Sequence, residues 1–134
     1  MTTHATLVRG LYEDCLNRRD LDALPTFLAP DFEGANGERG PSGFRRTVER
    51  MVAAFPDLMF VIEDLFACSD RVCVRWSFEA THAGPLAGHS ATGRRVTQNG
   101  IAIYRVRDGR LDRAWLQVDR LGVLQQIGAV PASG

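Results

Sequence analysis

A chain of 134 residues, 45% apolar and 24% charged, has the size and composition of one globular domain that buries a core without disulfides or metals. Sixteen basic residues balance sixteen acidic ones, which excludes a general electrostatic attraction to nucleic acid or to an anionic membrane surface. No stretch nears the ~20 apolar residues of a membrane-spanning helix. Three cysteines, Cys15, Cys68 and Cys73, lack metal-ligand spacing and cannot all pair, so reduced thiols in a cytoplasmic protein are expected. The polar N-terminus has no apolar run followed by a cleavage site, which predicts no secretion signal. The whole chain, 1–134, reads as a single domain with flexible tails at 1–3 and 130–134.

Helical periodicity comes first. Leu7, Val8, Leu11, Tyr12, Cys15 and Leu16 predict an amphipathic helix over residues 3–18. Asp20 or Asp22 caps a second, short helix burying Leu24, Phe27 and Leu28, with Pro25 tolerable only in its first turn. The glycine-rich stretch 34–41 reads as a loop. Ser42 is the expected cap of a third helix, with Phe44, Val48, Met51, Val52 and Phe55 on one face and Pro56 ending it.

From Asp57 onward the pattern turns extended. Strands are expected over 58–68 and 71–81 around a turn at Ser69-Asp70, then two long strands joined at Asp108-Gly109, then a short apolar helix. Helices followed by an antiparallel sheet make an α+β fold with the helices on one sheet face. On the strand 71–81, Val72, Val74, Trp76 and Phe78 share one face, and Cys73, Arg75, Ser77 and Glu79 share the other. The first set is expected to lie on the outer face, buried against another subunit, making the protein a homodimer or higher homo-oligomer.

Asp119 ends the last strand amid apolar and aromatic neighbours. Such an acid is either solvated at an edge or holds a raised pKa for proton transfer. Strand alternation groups it with Trp115, a flat apolar wall or a packing residue, and with Gln117, which holds the acid, a substrate oxygen or a plain hydrogen-bond network. Its neighbours on the preceding strand depend on the turn. A two-residue turn brings Gln98, Gly100, Ala102 and Tyr104 beside Trp115 and Asp119; a three-residue loop with a glycine bulge brings Asn99, Ile101, Ile103 and Arg105 there instead. Arg105 then touches the acid or pairs with Glu79. His82 follows directly on the strand 71–81 and can donate to a carbonyl near neutral pH.

The phrases AFPDL at 54–58, RVCVRWSFEATHAGPLAG at 71–88 and GRRVTQNGIAIYRVRDGRLDRAWLQVDRLGVLQQIG at 93–128 resemble the SnoaL-like polyketide cyclases of the nuclear transport factor 2-like superfamily. The resemblance implies a cone-shaped, curved antiparallel sheet with three N-terminal helices enclosing an apolar cavity. It implies a cofactor-independent intramolecular aldol ring closure on an aromatic polyketide, with Asp119 as general acid/base and a small, hydrophobic, polycyclic aromatic ligand. It also favours the bulged register, and so makes Arg75, Asn99 and His82 the expected hydrogen-bond donors, with Trp115, Gln117 and Arg105 beside them. Within the superfamily, limonene epoxide hydrolases use an Asp-Arg-Asp set, of which Arg75 and Asp119 match two members while Ser77 departs from the third. Tyr12 resembles the oxyanion tyrosine of ketosteroid isomerase, or is a core tyrosine of its helix. A non-catalytic ligand-binding or accessory protein is the other class of function open to this fold. No phosphate-binding glycine loop and no Cys/His cluster is present in the sequence, so neither metal nor nucleotide cofactor is expected.

Overall fold

The computed structural model describes residues 3–131; residues 1–2 and 132–134, at the ends of the two expected tails, lie outside the described residues. Helix α1 (His4–Gly10) starts at Thr3, whose hydroxyl accepts the Thr6 N–H at 3.0 Å. It continues through Leu11–Leu16 as a wider π-helical turn, closed by Asn17 N–H donating to the Tyr12 carbonyl at 2.9 Å. The apolar periodicity predicted this helix but not its widened turn, which carries the buried Leu11, Tyr12, Cys15 and Leu16.

A single 3-10 turn (Leu21–Ala23) leads into α2 (Leu24–Phe27), with Pro25 in the first turn, where no backbone donor is needed. Strand β1 (Leu28–Glu33) then forms where the sequence pointed to no strand. Pro30 is tolerated there because β1 is an edge strand, hydrogen-bonded to β5 in parallel. Helix α3 (Gly40–Ala54) begins two residues before the expected cap Ser42, with Pro41 in its first turn, and ends before Pro56.

Strands β2 (Val61–Cys68), β3 (Arg71–Thr81), β4 (Arg95–Arg107) and β5 (Arg110–Val118) follow, and α4 (Arg120–Gln126) closes the described chain. The sheet is open and curved, in the order β1-β5-β4-β3-β2, with all pairs antiparallel except β1–β5. Among the described residues no helix is long and apolar enough to cross a membrane.

The helices pack on one face of this sheet, and that face carries Val72, Val74, Trp76, Phe78 and Ala80 of β3, all at most 4% exposed. The expected subunit face is therefore the core of the protomer. The alternation on β3 was read correctly and the two faces were exchanged. A wholly apolar row belongs under the helices, and the row with Arg75 and Glu79 belongs in water. Trp76 stacks on Phe78 at a ring-centroid distance of 6.0 Å and meets Phe60 edge-on at 5.0 Å. Together with Tyr12, 5.3 Å from Phe60, these rings tie α1 to the sheet.

One irregularity decides the facing of β5. The β4–β5 turn holds two residues, Asp108 and Gly109, both in the left-handed region (φ 52° and 79°), so that Arg107 opposes Arg110. Val106 opposes Leu111, but Arg105 opposes Arg113. Asp112 is the extra residue of a β-bulge. Beyond it Ile103 pairs with Trp115 and Ile101 with Gln117, the neighbours expected of a bulged register, although the bulge sits in the strand rather than in the turn.

Asp112 is 4% exposed and pinned by three contacts: Arg105 Nε and Nη2 donate to its oxygens at 2.8 and 2.9 Å, and Arg107 Nη1 lies at 3.2 Å. Arg105 thus pairs with Asp112, and Glu79 pairs with Arg95 instead. The Arg105 hydrogen bonds hold the Asp112 carboxyl below the usual carboxylate range, against the opposing effect of burial. A lowered folded-state pKa gives stabilisation that is fully present above the unfolded value near 3.9 and is lost as pH falls through the lowered value. Asp112→Asn should therefore cost about 1–3 kcal/mol at neutral pH, and urea unfolding should show that difference closing as pH is lowered through the carboxylate range.

Candidate functional site

Between the helices and the concave sheet lies a cavity of about 600 Å³, the size of a site for a small organic ligand. Its walls are mainly apolar and aromatic: Phe44 and Val48 of α3, Phe55 and Phe60, Ala102 of β4, Ala114 and Leu116 of β5, and Val123 of α4. The exposed lining residues Asn36, Arg50, Ala87 and Arg120 mark its rim. Pro85, Leu86 and Ala87 of the loop after β3 contribute to the same opening.

Of the residues expected in the site, Tyr12 lines the cavity. Trp115, Gln117, Arg75, Asn99 and Arg105 stand on the convex face instead, because the Asp112 bulge and the true facing of β3 turn them outward. Arg75 Nε donates to Asp64 at 2.7 Å and Ser77 Oγ to Glu63 at 2.6 Å, so an epoxide hydrolase arrangement built on these positions has no access to the cavity. Trp115 is 40% exposed and lies between the guanidinium groups of Arg71 and Arg113, at 5.4 and 5.3 Å.

His82 is fully buried but does not line the cavity. Its Nδ1 accepts the Thr92 N–H at 3.3 Å and lies 2.9 Å from the Thr92 hydroxyl, which fastens the two ends of the rim loop together. Asp119 lies one residue beyond β5, as the N-cap of α4: its carboxylate is exposed and accepts the Gly122 N–H at 2.8 Å. It stands at the rim, between the lining residues Val118 and Arg120, rather than within the apolar wall.

Three groups outside the expected set of site residues face the cavity, of which Tyr104 belongs to the two-residue-turn alternative. Glu38 is the carboxylate among the lining residues. Its oxygens accept the Asn36 N–H at 2.8 Å and the Thr47 hydroxyl at 3.0 Å. The side chain folds back over Gly34, where an added Cβ would stand 2.4 Å from a Glu38 oxygen. The glycine spacing of residues 34–40 was the available signal: glycine where a side chain must approach the backbone closely. Tyr104 of β4 is buried, and its hydroxyl lies 2.7 Å from that of Tyr12. Burial pushes the Tyr104 hydroxyl up to about 12, and burial, then the adjacent Tyr104, raises Tyr12 well above its ordinary value. Both are neutral hydroxyls over the working pH range. Trp76 Nε1 is buried with no hydrogen-bond partner among the described residues.

Gly100 opposes Trp76 across β3–β4, and a Cβ there would stand 2.3 Å from the indole ring. The indole fits the concave face because Gly100 has no side chain. Gly100→Ala should push Trp76 out of place, at a cost of about 1–3 kcal/mol. Near-ultraviolet circular dichroism should show the loss of the Trp76 signal, with the Trp115 environment unchanged.

Among the described residues no three His, Cys, Asp or Glu side chains gather into a metal-ligating group. The family profile described as SnoaL-like polyketide cyclase matches residues 6–127. The aklanonic acid methyl ester cyclase DnrD of Streptomyces peucetius is 31% identical over 137 residues, spanning 96% of this chain and 92% of that protein. A SnoaL-like polyketide cyclase from Agrobacterium tumefaciens superposes with a TM-score of 0.84 at 28% identity, covering 96% of this chain and all of that one. TsrD from Streptomyces laurentii superposes with a TM-score of 0.82 at 30% identity, covering 92% and 93% of the two chains. The sequence, the sheet and its cavity agree: this chain belongs to the SnoaL-like polyketide cyclase family.

Proposed function

We propose that the protein is a cofactor-independent cyclase that closes a ring by an intramolecular aldol reaction on an aromatic polyketide or a similar hydrophobic carbonyl compound. The observation that carries this reading is a carboxylate, Glu38, held at the wall of an apolar cavity large enough for a polycyclic ligand. In such a reaction a base takes the proton from carbon next to a carbonyl. The resulting enolate carbon forms the new C–C bond to a second carbonyl, and the alkoxide left behind takes a proton back. One carboxyl group serves both steps, so atoms balance with nothing added.

Asp119 is the second candidate for this role. The family resemblance supports it, and so does its place at the rim, where both chain neighbours line the cavity. Geometry favours Glu38, because Asp119 already caps α4 and faces solvent. The test is cyclisation of aklanonic acid methyl ester, the compound in the relative's name, followed by mass spectrometry and absorbance. Glu38→Gln should lower kcat by about 10²-fold or more, and Asp119→Asn should stay within about tenfold of the parent. The reverse pattern assigns the proton transfer to Asp119, and unchanged turnover in both variants removes the acid/base reading.

We also propose that two copies pair through the convex face. Phe66, Cys73, Ile103 and Trp115 stand directly opposite one another across four strands, with Phe66 60% and Ile103 40% exposed. An apolar row of this kind is costly to leave in water. Sedimentation at micromolar concentration should show a homodimer that Ile103→Glu converts to monomer. A monomeric parent protein would refute it.

A further inference from the structure

We propose that the Trp76 indole N–H and the Tyr12–Tyr104 hydroxyl pair form a receiving site for a ligand carbonyl oxygen, and for the enolate or alkoxide oxygen that develops from it. This rests on the cavity reading above and names which end of the substrate that cavity grips.

Unmet hydrogen bonds mark the site. All three side chains line the cavity and are at most 4% exposed. Two hydroxyl groups 2.7 Å apart share one hydrogen bond, in which one donates and the other accepts. The accepting hydroxyl keeps its own hydrogen, so the pair has one donor left over. The Trp76 N–H is the second: it is buried and has no acceptor among the described residues. A buried donor without an acceptor costs about 1–3 kcal/mol, and two on one wall of a cavity are met at once by a single oxygen with two lone pairs.

The surroundings select the oxygen's chemistry. The Trp76 N–H lies close enough to the Tyr12 hydroxyl to act on it as a donor and favour its ionised form, yet short of full hydrogen-bond geometry. The indole and the hydroxyl pair therefore share one stretch of the cavity wall. Phe60 and Phe78 flank the indole, with ring centroids at 5.0 and 6.0 Å, and exclude water around that point. Donors fixed in a dry site stabilise developing negative charge strongly, because they need no reorganisation as it appears. Glu38 lies near enough to raise the Tyr104 pKa, so a carbonyl held at the donors sits in the same cavity as a base. A ketone flanked by acidic C–H fits this arrangement, and a pure hydrocarbon leaves both donors unmet.

The test compares two probes of similar shape, 2-acetylnaphthalene and 2-isopropenylnaphthalene, by fluorescence or calorimetric titration of the full chain. The ketone should bind at least about tenfold more tightly, as two otherwise unmet donors imply. The preference should fall about threefold or more in the double variant Tyr12→Phe/Tyr104→Phe and again in Trp76→Phe, while hydrocarbon affinity persists and shows the cavity intact. Should a variant fail to fold, the infrared carbonyl stretch of the ketone bound to the parent protein decides. A shift to lower frequency than in hexane supports the donor site, and a stretch at the hexane frequency overturns it. Equal affinity for both probes, or a preference that survives both sets of substitutions, overturns the proposal while leaving the cavity reading standing. If neither probe binds, the cavity reading fails together with it.

Discussion

A single inserted residue, Asp112, decides which side chains of β5 face the cavity. A plain two-residue hairpin at Asp108-Gly109 would set Trp115 opposite Ala102 and Gln117 opposite Gly100, which places both on the concave side. The bulge shifts the pairing by one, so Trp115 opposes Ile103 and Gln117 opposes Ile101. In a strand a one-residue shift exchanges every side chain between faces. Ala114, Leu116 and Val118 therefore line the cavity, and Trp115 lies among arginines outside. The bidentate Arg105–Asp112 pair fastens that shift: without it the buried carboxylate would keep only its contact with Arg107.

The consequences run across the sheet. Small residues on the concave side, Gly100, Ala102 and Ala114, leave room where Trp76 and the tyrosine pair project. The aromatic rings of Tyr12, Phe60, Trp76 and Phe78 then fill the space between α1 and the sheet while leaving the cavity beside them. Among the polar groups that line this apolar volume are Glu38, near the β1–α3 loop, and the tyrosine–indole donors on the wall. A proton acceptor and a set of hydrogen-bond donors facing one cavity are what enolisation chemistry needs, and the fold supplies them from elements far apart in sequence.

Much of this was legible in the residues. The helical spacing of Leu7 to Leu16 and the strict alternation of β3 give the α+β order directly, and the phrases from Arg71 to Gly128 give the family. The parallel edge strand β1 was not legible, because edge position is a property of the whole sheet and not of the segment. The site was harder to see. Asp119 drew attention as a carboxylate at a strand end, alternation then carried Trp115 and Gln117 with it, and the exchanged faces of β3 added Arg75, all three on the convex face. The wholly apolar row of Val72, Val74, Trp76 and Phe78, set against Arg75 and Glu79, was the better guide to the inside. Glu38 lies in a glycine-rich loop with no periodicity to place it, so its approach to the cavity depends on a backbone path set by Gly34 and Gly37.

The proposed site places ligand on the Trp76 side of the sheet and not on the Trp115 side. The chain has two tryptophans, so it offers two indole N–H resonances, which a Trp115→Phe variant assigns. The direct measurement is the set of intermolecular NOEs from bound 2-acetylnaphthalene. The account predicts contacts to the Trp76 indole N–H and the Tyr104 ring, with none to Trp115 or Ile103. Contacts to Trp115 and Ile103 instead would contradict it, and would return the site to the convex face.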